Sequence, residues 1–551
     1  MTFSSLNRPE IIHKLKSKTF DLLIIGGGIT GAGIALDAAS RGLSVALVEK
    51  NDFASGTSSR STKLIHGGLR YLKQLEFGLV KEVGSERAVV HKLAPHLVIP
   101  EKMLLPLVDG KSMSYWLTSI GLKIYDWLAG VKKEDRRIML SRQQTLRAEP
   151  LLNKSGIKGG ALYAEYRTDD ARLTIEIMKT AVRHGAIAIN YVKCIGFEYD
   201  TNGLIVGIKA CDELTGKEFS IRSKTVINAA GPWVDEVRQM DHSISGKHVQ
   251  LTKGVHIVVD RKHLPVKQAI YFEVADGRMI FAIPRFNKTY IGTTDTNYSE
   301  TKDQVYATVD DVDYLLKAVN ENFENVNLTQ QHVESSWAGL RPLISEEGKT
   351  GSALSRKDEI FEWTSGLISI AGGKLTGYRK MAERVVDLVV EKYFNDKELK
   401  PCSTEHIPLL GNAFKDYKDV IRYRDELKIR LMPSGLDDWA DYLLSNYGSQ
   451  TEIILQEAQY KHLITTEDLL LAELNFCIQH EMVVTPEDFF IRRTGMLYFD
   501  VSRMEKMLPV VLDFLAEKFH WPKSEIKNKG NKIRETISKT TVFRDLHGLG
   551  V

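Results

Sequence analysis

The sequence predicts an α/β protein with a separate helical domain at its C-terminus. Residues 21–25 form a continuous apolar run suited to a buried parallel strand, and a glycine-rich turn follows them. A helical stretch over residues 29–40 and a second apolar run over residues 44–48 complete one βαβ unit. Beyond Pro401 the glycines become sparse and helical periodicity dominates.

Composition and charge exclude several classes of protein. The chain has 551 residues, of which 43% are hydrophobic and 26% are charged, as in ordinary globular proteins. Its 74 Lys and Arg against 71 Asp and Glu leave a net charge of +3, so we expect no nucleic-acid partner. Four scattered cysteines without a C-x-x-C pair predict neither a metal site nor a disulfide framework. Without an apolar run long enough for a signal peptide or a spanning helix, we expect a cytoplasmic protein.

The remaining elements follow from local patterns along the chain. We expect a short helix within residues 1–18, an amphipathic helix over residues 172–184 that ends at Gly185, and a buried strand over residues 367–370 followed by a helix. Further strands are predicted for residues 187–197, 204–209 and 225–229, and antiparallel β-structure for residues 246–352. In the last domain, Thr485, Pro486, Glu487 and Asp488 indicate a helix start, because a hydroxyl cap, a proline and two acids follow in order.

The turn after the first strand has the spacing of a dinucleotide-binding motif. Gly26 permits the tight turn, Gly28 lets a pyrophosphate approach the backbone, and Gly31 lets the helix pack closely on the strand. The N-terminus of the following helix favours the phosphate charge. Glu49 ends the second strand, where its carboxylate can bind ribose hydroxyls and repel a 2′-phosphate. The motif alone leaves NAD and FAD both open.

Two distant segments favour FAD, because a flavin ring must be held far from its adenine. The hydroxyl loop, residues 51–63, contains a run of Ser and Thr directly after Glu49. Residues 371–379 lie between a buried strand and a helix, whose N-terminus can stabilise negative charge on a reduced flavin. Each segment is also compatible with a plain loop or turn.

Several motifs in order along the chain resemble FAD-dependent glycerol-3-phosphate dehydrogenases. The N-terminal glycine motif through Gly42, and Gly372-Gly373-Lys374 with Tyr378-Arg379, are similar to the two motifs of that family. Between them lie four further matching segments, residues 63–71, 168–173, 228–233 and 339–343. The resemblance covers residues 20–395 clearly and extends more loosely into the helical C-terminal domain.

The resemblance implies a Rossmann-like FAD-binding domain with an inserted mixed or antiparallel β substrate domain and a C-terminal all-helical domain. We assign residues 19–110, 150–245 and 353–398 to the FAD-binding domain, 111–149 and 246–352 to the substrate domain, and 399–551 to the helical domain. It also implies oxidation of sn-glycerol 3-phosphate to dihydroxyacetone phosphate, with hydride transfer from C2 to FAD and electrons passing to a membrane quinone.

The resemblance also implies roles for individual residues. His256, Lys374 and His66 are the candidate catalytic residues, with His256 favoured as the base, and Arg70, Tyr71, Arg341 and Arg285 are the candidate phosphate ligands. Guanidinium groups suit a dianionic phosphate, and a histidine near neutral pKa suits removal of a hydroxyl proton. The expected FAD ligands are Gly26, Gly28, Gly31, Glu49, Thr57, Ser58, Ser59, Lys63, Leu64, Val192, Gly231, Gly373, Lys374, Leu375 and Thr376.

Alternative functions and the membrane contact stay open at this point. A glycerol-3-phosphate oxidase that reduces O₂ to peroxide, an amino-acid or amine oxidase, and a regulator with a structural FAD share the main motifs. Delivery of electrons to a quinone implies peripheral attachment to the inner face of the cell membrane, and the aromatic segment 112–130 is one candidate contact, although a buried helix is its first interpretation. A homodimer is compatible with the sequence, which does not fix the oligomeric state.

Overall fold

A computed structural model describes residues 3–66, 77–109, 137–244, 246–345, 357–458 and 463–543. The aromatic segment 112–130, predicted first as a buried helix and second as a membrane contact, and the predicted ligands Arg70 and Tyr71 lie outside these residues. No described helix is both long enough and apolar enough to cross a bilayer. Two β-sheets and a helical C-terminal region form the described fold.

The first sheet carries the glycine-rich turn that the sequence predicts to bind a dinucleotide. Its described strands are β1 (Thr19–Ile25), β2 (Val45–Val48), β7 (Ile187–Ile189), β8 (Val192–Tyr199), β9 (Ile205–Asp212), β10 (Lys217–Asn228), β17 (Glu359–Glu362) and β18 (Leu367–Ala371). Strands β18, β10, β1, β2 and β7 are adjacent and parallel, as the apolar runs predict. The predicted single strand 187–197 is wrong, because Tyr191 adopts a left-handed φ of 54° and separates β7 from β8.

The second sheet is mainly antiparallel. Its described strands are β3 (Leu64–Ile65), β4 (Ile99–Val108), β5 (Ile138–Ser141), β6 (Ile157–Arg167), β11 (His248–Asp260), β12 (Ala269–Glu273), β13 (Met279–Arg285), β14 (Lys288–Gly292), β15 (Thr296–Asn297) and β16 (Val333–Ser345). Strands β4 and β6 pair with each other here, whereas the predicted domain bounds place both in the FAD-binding domain. The local sequence marks a segment as a strand, but tertiary packing decides which sheet it joins.

Helices cover the sheets and form the C-terminal region. The described α-helices are α1 (Arg8–Ser17), α2 (Ile29–Arg41), α3 (Phe77–Leu93), α4 (Arg142–Ala148), α5 (Asp170–Arg183), α6 (Val234–Met240), α7 (Val309–Asn322), α8 (Tyr378–Tyr393), α9 (Tyr417–Leu431), α10 (Trp439–Tyr447), α11 (Thr451–Ala458), α12 (Thr466–His480), α13 (Met496–Phe499), α14 (Val501–Phe519) and α15 (Lys523–Thr541). As predicted, Gly42 closes α2 with a φ of 106°. The predicted helix start at Thr485 leads into a π-helix, Asp488–Arg493, and the backbone N–H of Asp488 donates to the Thr485 hydroxyl.

Helix α2 follows the glycine-rich turn after β1, and it packs tightly against its neighbours. It packs between α5 and α8 beside the first sheet. A Cβ atom on Gly33 would lie 2.9 Å from the Tyr378 ring and 3.3 Å from the Ala382 Cβ, so glycine lets α2 and α8 approach closely. The C-terminal helices share one apolar core with the second sheet, including Tyr290 and Trp337. The helical region therefore shares its core with the second sheet.

Candidate active site

A cavity of about 320 Å³ opens where the parallel strands of the first sheet end. Its walls come from the turn after β1, the end of β2, the hydroxyl loop, the start of β8, the turn after β10 and the turn after β18. Ten of the predicted FAD ligands line it: Gly26, Gly28, Glu49, Thr57, Ser58, Val192, Gly231, Gly373, Lys374 and Leu375. The fold thus brings together segments that are more than 300 residues apart in the sequence.

The three motif glycines take the positions that the sequence predicts. Gly26 has a φ of 116°, and a Cβ atom there would lie 2.5 Å from the carbonyl oxygen of Ala229. A Cβ atom on Gly31 would lie 1.9 Å from the Gly26 carbonyl oxygen, so Gly31 permits the close contact of α2 with β1 and does not line the cavity. Gly28 precedes the first residue of α2, and no side-chain group caps the helix from that position. The Ser58 hydroxyl of the hydroxyl loop caps the Ile29 N–H, and the bare Gly28 backbone at this helix N-terminus suits a pyrophosphate.

Glu49 holds the glycine turn as well as lining the cavity. Its Oε2 accepts a hydrogen bond from the Gly27 N–H at 2.7 Å, and its Oε1 accepts one from the Asn51 N–H at 2.8 Å. Burial raises the pKa of the Glu49 carboxyl, although these two N–H groups oppose the shift. The carboxylate therefore joins the turn after β1 to the hydroxyl loop.

Hydrogen bonds join the hydroxyl loop both to the start of α2 and to the second sheet. The Ser58 hydroxyl accepts a hydrogen bond from the Ile29 N–H at 2.9 Å, and the Thr57 hydroxyl donates to the Leu340 carbonyl at 2.7 Å. Two contacts from the second sheet follow: the Trp337 indole N–H donates to the Ser61 carbonyl, and the Tyr290 hydroxyl donates to the Thr62 carbonyl, each at 3.1 Å. These contacts fix the loop against β14 and β16.

Three predicted FAD ligands in or beside this loop support it from below and do not line the cavity. Ser59 is 1% exposed, and Leu64 belongs to an apolar core. The ammonium group of Lys63 is buried, donates to Asp170 Oδ1 at 2.6 Å and lies 3.4 Å from Asp169. These three side chains face the protein interior, and their assignment as FAD ligands, which the family resemblance implies, stays a prediction.

The turn after β18 forms the opposite wall. Gly372 and Gly373 have φ values of 78° and 81°, and a Cβ atom on Gly373 would lie 2.5 Å from the sulfur of Met381. Lys374 and Leu375 line the cavity, and a 3₁₀ turn, Leu375–Gly377, leads into α8. Thr376 is buried and its hydroxyl donates to the His66 carbonyl at 3.3 Å, so Thr376 positions His66 and does not line the cavity.

His256 and Arg341 lie on neighbouring strands of the second sheet, outside the lining of the cavity. The imidazole of His256 is buried, its Nε2 lies 3.0 Å from the Thr62 hydroxyl, and its ring stacks on Trp337 at 4.8 Å. Burial, together with the charges of Arg341 and Lys63, lowers the pKa of His256 well below its usual value. This shift favours the neutral form of the ring.

The described candidate phosphate ligands have partners within the fold. Arg341 is half-buried and donates to Asp295 at 3.1 Å, to the Thr294 carbonyl at 3.2 Å and to the Thr293 hydroxyl at 2.9 Å. Arg285 is 6% exposed and donates to Asp169 at 3.1 Å, and its guanidinium lies over the Phe499 ring. The Nε and Nη1 atoms of Arg285 have no hydrogen-bond partner among the described residues.

Sequence reasoning missed three groups of supporting residues. Thr62 and Trp337 hold His256, and Trp233 lines the cavity. Asp52 and Arg493, which are 441 positions apart, form a buried ion pair beneath the hydroxyl loop. Thr62 lies inside a stretch already noted for its hydroxyl groups, but no local pattern links Asp52 to Arg493.

Comparison with known proteins identifies the family. The profile of the FAD dependent oxidoreductase family matches residues 21–379, which include the glycine turn, the hydroxyl loop and the turn after β18. The chain belongs to this family of FAD-dependent oxidoreductases. The profile described as the C-terminal domain of alpha-glycerophosphate oxidase matches residues 402–526. The predicted fold class, the family resemblance and FAD as the cofactor are thereby confirmed.

Full-length relatives extend the likeness beyond the cofactor domain. The chain is 51% identical to an aerobic glycerol-3-phosphate dehydrogenase of Bacillus subtilis over 536 residues, 96% of each chain. It is also 51% identical to an aerobic glycerol-3-phosphate dehydrogenase of Staphylococcus saprophyticus, covering 94% of each chain. A crystal structure of glycerol-3-phosphate dehydrogenase from Bacillus halodurans, complexed with FAD, superposes with a TM-score of 0.84 at 45% identity, covering 98% of this chain and 99% of that one.

The residues around the cavity fit FAD. The cavity extends from the N-terminus of α2 to Lys374, and the close packing at Gly26 and Gly373 leaves no room for larger side chains there. Gly26, Gly28 and Ser58 would hold the pyrophosphate of FAD. Glu49 and Val192 would flank its adenosine. The turn at Gly373 and Lys374 would face the flavin end, where a cation and a helix N-terminus offset negative charge.

Proposed function

We propose that this FAD-dependent oxidoreductase oxidises sn-glycerol 3-phosphate to dihydroxyacetone phosphate and passes the electrons to a membrane quinone. The observation that carries the proposal is the 51% identity, over 96% of both chains, with an aerobic glycerol-3-phosphate dehydrogenase. Bound FAD supplies the oxidant for the C2 carbon. The proposed setting is peripheral, on the inner face of the cell membrane, and a homodimer is the assembly to test.

The proposed phosphate ligands are Arg70, Tyr71, Arg341 and Arg285. Arg341 already donates a hydrogen bond to the Asp295 carboxylate. To bind the substrate phosphate, Arg341 must release this carboxylate. That ion pair is about 30% exposed on both sides, and such pairs contribute about 0–1 kcal/mol. A charged hydrogen bond to phosphate contributes about 1.5–3 kcal/mol, so the exchange is favourable.

His256 is the proposed base for the C2 hydroxyl proton. Its lowered pKa keeps the imidazole neutral, so a ring nitrogen has a free electron pair to accept the proton. Trp337 and Thr62 fix the plane and the position of the ring. Lys374 would place a positive charge beside the substrate oxygen and favour loss of its proton, and His66 would border the same space.

Anaerobic mixing of the holoenzyme with glycerol 3-phosphate tests the reaction. We expect the flavin absorbance to bleach with glycerol 3-phosphate and to stay unchanged with glycine or sarcosine. Bleaching by the amino acids alone would overturn the substrate assignment in favour of an amine oxidase. Failure of every reductant to bleach the flavin would favour a regulator with a structural cofactor.

A second candidate, a glycerol-3-phosphate oxidase, is favoured by one observation. The C-terminal profile that matches residues 402–526 is described for alpha-glycerophosphate oxidase. Two quantities separate the proposals: the peroxide formed and the quinone reduced, each per mole of substrate consumed in air-saturated buffer. Stoichiometric peroxide with no reduction of a soluble quinone analogue would establish the oxidase.

A further inference from the structure

A second cavity, the C-terminal cavity, lies between the hydroxyl loop and the last helix. Its volume is about 210 Å³, equal to about seven liquid waters. Asn51, Asp52, Ser55 and Arg60 of the hydroxyl loop line one side, and Lys532, Thr536 and Lys539 of α15 line another. It is separate from the FAD cavity, although the two share Ser55, Trp233 and Asp303 on their walls.

Two cations on these walls form no ion pair within 4 Å in the described part of the chain, although the charge of Lys532 acts on Glu487 and Glu535. Arg60 donates only a long hydrogen bond, 3.4 Å, to the Ala338 carbonyl, and Lys532 forms no described ion pair. The neighbouring cations differ, because Arg492 pairs with Asp52, Lys302 with Glu236 and Lys539 with Glu535. Arg60 and Lys532 are therefore available to an anion that enters the cavity.

Glu487 supplies an independent observation at the same place. It lines the C-terminal cavity, it is 7% exposed, and neither of its carboxyl oxygens has a hydrogen-bond partner on another described residue. Its own backbone N–H and the charges of Lys532 and Arg492 offset part of the cost of burying this carboxyl group, which still lacks a donor on another described residue. Its neighbour Asp488 differs, because both of its carboxylate oxygens accept hydrogen bonds. The donors are the backbone N–H groups of Val484 and Thr485 and the guanidinium of Arg492.

We propose that the C-terminal cavity binds a small phosphate monoester that carries a free hydroxyl group. Arg60 and Lys532 bind the phosphate, and Glu487 accepts the hydrogen bond of the hydroxyl. The volume, about 210 Å³, is smaller than the about 320 Å³ of the cavity that fits FAD, which favours a ligand smaller than a dinucleotide, such as a short polyol phosphate. Because it contacts the hydroxyl loop and α15 together, the ligand stabilises the loop that faces FAD.

Binding of glycerol 2-phosphate to the holoenzyme, measured by calorimetry and by the thermal unfolding midpoint, tests this site. Lys532→Ala removes the charge of an exposed side chain, and Lys527→Ala on the same helix is the matched control, since Lys527 does not line the cavity. We expect the Lys532 variant to weaken binding about 10- to 100-fold, as for a lost charged hydrogen bond, and the Lys527 variant to bind as the wild type does. Equal binding by the two variants would overturn the proposal.

The role of Glu487 is separated by changing the ligand. Glu487→Met removes the carboxyl acceptor at nearly the same side-chain length, and we expect it to weaken the binding of glycerol 2-phosphate relative to that of inorganic phosphate, which carries no carbinol hydroxyl. An identical effect on both ligands would refute the hydroxyl contact. Arg341→Ala is measured in parallel, because binding at the C-terminal cavity must persist in that variant. Loss of all binding with Arg341→Ala would assign the ligand to the proposed active site instead and would overturn the second site.

Discussion

The buried ion pair between Arg493 and Asp52 predicts that the helical C-terminal region controls FAD retention. Arg493 is fully buried, and its two terminal nitrogens donate to the Asp52 carboxylate at 2.7 and 2.9 Å. Asp52 lies three positions after Glu49, in the loop that lines the FAD cavity. We expect Arg493→Met to release this end of the hydroxyl loop and leave the Asp52 charge incompletely compensated.

The expected magnitude follows from the contacts that remain. Removing one partner of a buried ion pair costs about 3–5 kcal/mol, and Arg492 still donates to Asp52, so we expect about 3 kcal/mol. If the loop transmits most of this to the cofactor, the Kd for FAD rises about 10- to 100-fold, at about 1.4 kcal/mol per factor of ten. Fluorescence of released flavin during dialysis against FAD-free buffer measures this change.

Arg503→Met is the matched control for that variant. Arg503 pairs with Asp500 in the same helical region, but both side chains are about 40% exposed, so the pair contributes little. We expect this variant to keep FAD as the wild type does. An Arg493→Met protein with wild-type FAD affinity and wild-type urea stability would refute the reasoning.

The remaining predictions concern single residues and pH. Arg341→Ala should raise the substrate Kd about 10- to 100-fold and leave flavin reduction at saturation nearly unchanged, measured by stopped flow; an unchanged Kd would exclude the phosphate contact. His256→Ala should slow that reduction about 10²- to 10⁴-fold, and an unchanged rate would remove His256 as the base. Gly31→Ala should give a colourless protein, because its Cβ would lie 1.9 Å from a carbonyl oxygen; yellow holoenzyme would contradict this. Burial raises the pKa of Asp52, but Arg493 and Arg492 outweigh it and lower the pKa to about 2. The stability that the Asp52 ion pairs contribute is therefore complete above about pH 4 and is lost as the pH falls towards 2. An acid titration of FAD release checks this dependence. Retention of FAD that is unchanged down to pH 2 would contradict it.

The dinucleotide half of the fold could be predicted because its constraints are local. The spacing of Gly26, Gly28 and Gly31 between two apolar runs determines a turn, a helix start and a close packing contact. The same is true of Gly42, which closes α2 in the left-handed conformation. Geometry of this kind depends only on residues that are close in the sequence, so it can be predicted from a single sequence.

Contacts between distant segments could not be predicted in the same way. Strands β4 and β6 show ordinary strand patterns, but their pairing in the second sheet depends on long-range packing. The direction of the Lys63 side chain depends on Asp170, which lies on a helix more than 100 residues away. A hydroxyl-rich loop indicates that a ligand is near, but not which of its residues face it.

The hydrogen bonds that join the hydroxyl loop to the second sheet constrain how the enzyme can move. Thr57, Ser61 and Thr62 are bonded to Leu340, Trp337 and Tyr290, so one stretch of backbone belongs mechanically to both halves of the protein. A hinge rotation that separated the sheets would break these bonds and pull the loop away from the nucleotide. We therefore expect substrate to enter and product to leave while the two halves stay together.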